Sequence, residues 1–267
     1  MAGAAAYTEP VKRRALVTGA SAGLGCEFAK QLAGRGLDLL LVARRESKLK
    51  ELAGELADRH GVEVVTCAAD LSDPSAPAQI QAFAEERGLA IDYLVNNAGS
   101  AGPDLLEDRD WQTQAAFLEL MMLSVAQLCH RFIPPMRDRG FGRVINVSSF
   151  AGRLARPAGA NYGPTKAYLI ALSEELALTL KGSGVHVCAL CPGFTHTDFH
   201  EVAGLMEMKQ GLPGWLWYDA ETVVRDGIEA VERGRAIRIS GRLYRWLDPF
   251  AQSVWIRPLI KALAPDR

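Results

Sequence analysis

Cysteine is scarce and cannot all pair. The five residues Cys26, Cys67, Cys129, Cys188 and Cys191 are an odd set scattered through apolar segments. That usage excludes a disulfide framework and predicts buried, reduced thiols in a cytoplasmic protein. Neither sign of charge is in excess: 30 Lys and Arg stand against 31 Asp and Glu, a formal net charge of -1. No global field then draws the chain to nucleic acid or an anionic membrane, and partners must be sought at local sites. No run of 18 uncharged apolar residues occurs, which argues against a spanning helix. Met1–Pro10 lacks the basic flank and apolar stretch of a signal peptide. Linkers, repeats and low-complexity tracts are also missing, so residues 1–267 are expected to form a single domain.

What is present is a core-forming composition, 49% hydrophobic and 23% charged. From Arg14 onward, short apolar runs alternate with longer amphipathic stretches. Ala15–Thr18, Leu37–Ala43, Val62–Ala68, Tyr93–Asn96, Val144–Val147, Val185–Cys191 and Ala236–Ser240 read as strands, and the stretches between them as helices. Alternation of this kind without hairpin signals predicts a Rossmann-type α/β fold: a doubly wound parallel sheet of about seven strands with helices on both faces. The core then spans about residues 12–241. Two stretches break the rhythm, the irregular apolar segment 194–218, read as a substrate lid, and the tail 243–267.

Cys188 and Cys191 form a C-x-x-C, but on a strand residues three apart face opposite sides, so two packed thiols are expected rather than a redox or metal pair. The helical stretches Phe117–Ile133 and Ala167–Leu180 are apolar nearly all round. One sheet face cannot cover a whole helix. Burial in a homodimer or homotetramer is the expected remedy, with cover by the chain's own tail as the alternative.

The first strand runs into Thr18-Gly19-Ala20-Ser21-Ala22-Gly23-Leu24-Gly25, a glycine-rich turn opening a helix. Glycines let the backbone approach a pyrophosphate, and the helix N-terminus presents N–H groups to its charge, so Gly19, Ser21, Gly23, Leu24 and Gly25 are candidate cofactor contacts. After the second strand, where an NAD-preferring fold places an acid for the ribose hydroxyls, Arg44 and Arg45 follow Ala43. A guanidinium fork matches a 2′-phosphate, which points to NADP(H); two solvated arginines at a helix start are the alternative.

Asp70-Leu71 follows the third strand, Asn96-Asn97-Ala98-Gly99 the fourth and Ser148-Ser149 the fifth. Tyr162-Gly163-Pro164-Thr165-Lys166 and Pro192-Gly193 come next. With these motifs in order from about Lys12 to Thr197, the sequence resembles the short-chain dehydrogenase/reductase family, in its compact single-domain branch. Tyr162 and Lys166, four apart on one helix face, can bring an ammonium beside a phenol, and a nearby cation favours the phenolate. The resemblance implies Tyr162 as acid/base and Ser149, thirteen positions earlier, as the group that steadies charge on the substrate oxygen. It implies further that Lys166 holds the nicotinamide ribose and that Asp70-Leu71 lies at the adenine. Asn97, Ala98 and Gly99 would pass along the ribose side, and Pro192, Gly193 and Thr197 would touch the carboxamide. Asp70 also reads as a helix cap before Ser72–Pro74.

One departure stands out. The family's usual Asn in the helix before the fifth strand falls at Met121, which offers no amide to the water-linked proton relay that this Asn supports.

Weaker signals lie elsewhere. His196 and His200 lack a third metal ligand, so no metal site is expected. Leu205, Met206, Met208, Leu212, Trp215, Leu216 and Trp217 suit either a hydrophobic substrate or lid packing. Arg153 and Arg156 read as solvated loop residues or as partners of an anionic substrate. The tail's Trp246, Phe250, Trp255, Ile256, Leu259, Ile260 and Leu263 are expected to pack on the domain or a subunit, a bilayer surface being the alternative. The function implied is an NADP(H)-dependent oxidoreductase interconverting a small-molecule ketone or aldehyde and an alcohol. A cofactor-binding regulatory protein with decayed catalysis, or a redox-assisted epimerase, are the competing readings.

Overall fold

The computed structural model describes residues 12–154, 161–196 and 213–256. Seven strands form one parallel sheet: β1 (Arg14–Thr18), β2 (Asp38–Ala43), β3 (Val64–Ala68), β4 (Tyr93–Asn96), β5 (Gly142–Val147), β6 (Val185–Cys191) and β9 (Ile237–Ile239), in the order β3-β2-β1-β4-β5-β6-β9. Two short strands, β7 (Thr195–His196) and β8 (Tyr218–Asp219), pair separately. All seven strands of the large sheet fall within the segments read as strands from the sequence or within two residues of them.

The helices are α1 (Gly23–Ala33), α2 (Glu46–His60), α3 (Ala76–Glu86), α4 (Trp111–Leu118), α5 (Ser124–Asp138), α6 (Tyr162–Thr179), α7 (Ala220–Glu232) and α8 (Arg242–Gln252). Successive strand residues point to opposite faces, so β1 and β2 feed two cores at once. Val17, Leu39 and Leu41 pack with Phe28 and Leu32 of α1, Leu49 and Leu56 of α2, and Ile228 of α7. Leu16 and Leu40 pack with Ile80 of α3, Leu128 and Phe132 of α5, and Leu169 of α6. Every residue of β2 is buried, as a strand covered on both faces requires.

After β3 the chain crosses back to the other side of β1 to form β4. Connections leaving β1 and β4 therefore diverge, and the crevice between them lies outside the carboxyl ends of the strands, the usual ligand position in such sheets. All the segments singled out as cofactor or catalytic candidates through Gly193 follow carboxyl ends of these parallel strands or begin the next helix, so the topology gathers them at one edge.

Between α4 and α5, Glu119–Leu123 forms a π-helical turn, making one continuous helix from Trp111 to Asp138. By length and composition alone this helix could cross a membrane, but half of its most apolar window is buried in the protein. Leu123 and Leu178 remain exposed, at 50% and 71%. Cys188 and Cys191 lie in different core clusters, as the strand reading requires, and all five thiols are free. Burial pushes both up to about 12, which keeps them protonated and inert.

Candidate active site

Thr18 ends β1 and ties the two sides of the crevice together. Its Oγ1 donates to Val95 O (3.2 Å) and accepts from the backbone N–H groups of Asn97 (3.0 Å) and Ala98 (3.1 Å). The Asn97 amide donates back to Thr18 O at 3.0 Å. Gly19 takes φ +66, where side chains are strained, and a Cβ on Gly25 would stand 2.2 Å from Gly19 O. The turn thus has to be glycine to pass this close to α1. Ala22 precedes α1 and supplies no capping oxygen, so no N-cap side chain competes for the N–H groups of its first turn. Leu24 is half-buried against the core beneath. An uncapped helix start behind a glycine turn that a Cβ would fill fits a dinucleotide pyrophosphate.

Beyond β2 the Arg45 guanidinium reaches over this turn to Ser21, with Nη2 3.1 Å from Oγ and 3.3 Å from the carbonyl. Arg44 extends to Asp70, 3.8 Å away across the end of β3. Both side chains are exposed, Arg45 beside the glycine turn and Arg44 at the end of β3. Asp70 Oδ1 accepts from Ser72 N (3.0 Å) and Ser72 Oγ (2.7 Å). Because α3 begins only at Ala76, this is a turn and corrects the helix-cap alternative. Burial raises the Asp70 carboxyl, but Ser72 and Arg44 outweigh it and hold the group below its ordinary value. Leu71 is buried in the core, leaving only its backbone for a ligand.

Ser149 leaves β5 in extended conformation and starts a single 3-10 turn over Phe150–Gly152, its Oγ accepting from Ala151 N at 3.1 Å. This turn is pressed onto α6. A Cβ on Gly152 would lie 2.7 Å from the Lys166 carbonyl carbon, and Ser148 Oγ donates to Lys166 O at 2.6 Å. Ser149 and the first turns of α6, with Tyr162 and Lys166, are so brought together. Lys166 Nζ donates to Val147 O at 2.9 Å and lies 5.7 Å from the centre of the Tyr162 ring. Nothing in the linear sequence signals this anchoring beyond the Ser148-Ser149 doublet.

Lys166 is buried, and burial pulls its ammonium down to about 8 from 10.5. Between those values the unfolded chain binds the extra proton, so stability rises with pH across that window; below it the folded state bears the full cost of the buried charge. The cost is on the order of 3 kcal/mol. Urea unfolding of cofactor-free protein at pH 7.5 and pH 10 should therefore show wild type gaining on Lys166→Met as pH rises. Parallel profiles for the two proteins would refute the burial cost.

Met121 sits in the π-helical turn and is buried. Its thioether accepts from Ser100 N at 3.4 Å. A Cβ on Gly99 would stand 3.2 Å from this sulfur and 3.7 Å from Lys166 Nζ, so Gly99 lies close to both Met121 and Lys166. Asn161, just before Tyr162, donates to Gln114 Oε1, and Gln114 holds Asp104 O and Asp108 O at 3.0 and 3.1 Å. This pinning of residues 104–108 to the start of α6 has no sequence signature.

After β6, Pro192 O accepts from Phe150 N at 2.8 Å. Gly193 lies so close to Tyr244 that a Cβ would fall 2.0 Å from its ring. The pairing of β7 with β8 forms the base of the segment read as a lid. Its Trp217 is buried and Trp215 exposed. His196 stacks on Trp217 with centroids 5.3 Å apart, and no group of three metal-binding side chains occurs among the described residues. Thr197, His200, Arg156, Leu205, Met206, Met208, Leu212, Leu259, Ile260 and Leu263 lie outside the described residues.

Arg153 requires a correction. It is neither solvated nor directed at a ligand but bound to Asp248 of α8, Nη2 to Oδ2 at 2.8 Å. The partner is almost a hundred residues away, too far for any local pattern to disclose. Helix α8 docks through Tyr244, Asp248 and Gln252, whereas Trp246, Phe250 and Trp255 are exposed, which corrects the expectation that these tail residues pack on the domain.

Known proteins carry the same architecture. The short chain dehydrogenase family profile matches residues 13–207. The 7beta-hydroxysteroid dehydrogenase of Collinsella aerofaciens is 31% identical over 182 residues, 68% of either chain. Sulfoacetaldehyde reductase 2 of Chromohalobacter salexigens is 33% identical, covering 69% of this chain and 73% of its own. A short-chain dehydrogenase from Sphingobium yanoikuyae, solved in complex with NADPH, superposes with a TM-score of 0.78 at 29% identity over 96% of this chain and 98% of the other. With sheet order, glycine turn and relatives in agreement, the chain belongs to the short-chain dehydrogenase/reductase family of oxidoreductases.

Proposed function

We propose that the protein is an NADP(H)-dependent oxidoreductase that interconverts a ketone or aldehyde and an alcohol. One observation carries the reading: the Ser149 turn and the Tyr162–Lys166 face of α6 are locked together beside a glycine turn and an uncapped helix start. Gly19, Ser21, Gly23, Leu24 and Gly25 would hold the pyrophosphate, Arg44 and Arg45 the 2′-phosphate, and Asp70 and Leu71 the adenine. Asn97 works through its amide on the turn, while Ala98 and Gly99 offer backbone to the ribose side. Pro192, Gly193 and Thr197 would meet the carboxamide. The NADPH bound to the Sphingobium yanoikuyae relative supports this choice of cofactor.

The cofactor would donate hydride in reduction and accept it in oxidation, while the protein positions it and manages the proton. In reduction the Tyr162 phenol gives its proton to the carbonyl oxygen, and in oxidation the phenolate receives it from the alcohol. Ser149 hydrogen-bonds the same oxygen as charge grows there. The Lys166 ammonium favours the phenolate and would hold the nicotinamide ribose. Met121 supplies no proton carrier beside Lys166, so proton return runs without that amide. The rest of the reading follows the sequence: one domain, a cytoplasmic setting consistent with five free thiols, and self-association through the helix faces bearing Leu123 and Leu178.

NADPH consumption measured against aliphatic, aromatic, steroidal and acidic carbonyl compounds tests the proposal. Turnover of at least one class is expected. Tight NADPH binding with no turnover across the panel would assign the chain to a cofactor-sensing role instead.

A further inference from the structure

Helix α8 reaches the turn after β5, the segment after β6 and the turn before β8. Arg153, the residue that ends the Ser149 turn, is gripped twice: its guanidinium forms a two-pronged pair with Asp248, and its carbonyl accepts from Gln252 Nε2 at 2.6 Å. Both charged side chains are largely shielded, at 17% and 13% exposure. One helical turn earlier, Tyr244 packs on Phe150 with ring centroids 5.1 Å apart. Its hydroxyl donates to Leu216 O (3.0 Å) and accepts from Phe194 N (3.3 Å). The opposite side of the Ser149 turn abuts the Lys166 backbone through Gly152. A short turn clamped between two helices has its serine set by both, and only one of them, α6, carries candidate catalytic groups.

We propose that Arg153 and Asp248 are positioning residues: their ion pair fastens α8 to the Ser149 turn and sets the distance of Ser149 from the substrate oxygen. The inference rests on the oxidoreductase reading for its kinetic consequence, but the anchoring itself is a property of the fold. A bidentate, shielded pair is geometrically demanding, and misplacing a reacting group by about 1 Å costs on the order of 100-fold in rate.

The test compares Asp248→Asn, Arg153→Lys and the charge swap Arg153→Asp with Asp248→Arg. Glu232→Gln serves as a control, breaking the 2.9 Å Arg143–Glu232 pair at the amino end of β5, away from the carboxyl ends of the strands. Asp248→Asn is expected to lower kcat about 10- to 100-fold while the NADPH Kd moves by less than about twofold. Amide exchange should quicken in residues 148–154 and stay unchanged in the glycine turn. Arg153→Lys, which keeps the charge but loses the fork, should fall between, and the swap should recover part of the rate. An active wild type whose Asp248→Asn variant keeps both turnover and exchange pattern overturns the inference, as does an equal kinetic loss in Glu232→Gln. A wild type inert toward every carbonyl, with the Ser149 turn still loosened by Asp248→Asn, overturns the functional reading and leaves the anchoring standing.

Discussion

Replacing Tyr162 by Phe should leave NADPH binding within a few fold of wild type and cut turnover by about 10²- to 10⁴-fold, because it removes the transferable proton and keeps the ring. Ser149→Ala should cost about 10²- to 10³-fold in kcat, the effect of one lost contact to a developing oxyanion. Neither change should disturb the fold, since the Ser149 turn is held by Arg153, Gly152 and Phe150 and α6 by Ser148. The pH profiles of wild type carry a sign: alcohol oxidation needs the phenolate and rises with pH, whereas carbonyl reduction needs the phenol and falls. Steady-state rates in both directions, with fluorescence titration of NADPH, decide the matter. A Tyr162→Phe protein with full activity removes Tyr162 from the chemistry.

NADPH should bind about 10- to 100-fold more tightly than NADH, equivalent to about 1.5–3 kcal/mol for a charge-assisted fork on the 2′-phosphate. Arg45 is the stronger contributor expected, because Ser21 already holds its guanidinium over the glycine turn. Arg44 stands opposite a carboxylate, Asp70, and its charge is partly answered there. Both guanidinium groups are exposed, so the preference should shrink as salt is raised. The double variant Arg44→Ala with Arg45→Ala should bind the two cofactors nearly alike, chiefly by losing NADPH affinity. Equal affinities in wild type, or an unchanged preference in the double variant, would sink the NADP(H) assignment.

Much of this architecture is legible in the linear sequence because it is local. A parallel strand covered on both faces is a short apolar run, so β1 to β6 and β9 can be placed to within two residues of their ends. A backbone turn that has to take φ +66 and pass 2.2 Å from where a Cβ would sit leaves only glycine, so Gly19 and Gly25 announce the turn. The i, i+4 spacing of Tyr162 and Lys166 places them on one helix face without further information.

Tertiary structure alone decided what depends on distant partners. Arg153 has the pattern of a solvated loop arginine, and only the fold sets Asp248 against it. Asn97 reads as a cofactor contact from the sequence, and only the fold shows that its amide also donates to Thr18 and Gly19 and braces the glycine turn. The π-helical turn at Met121, the Gln114–Asn161 clasp and the docking of α8 likewise join residues from separate elements. Periodicity and turn chemistry act over a few residues and leave their mark in the linear pattern. Ion pairs and packing across the sheet edge depend on which chain ends the topology brings together, and no local window of sequence records that.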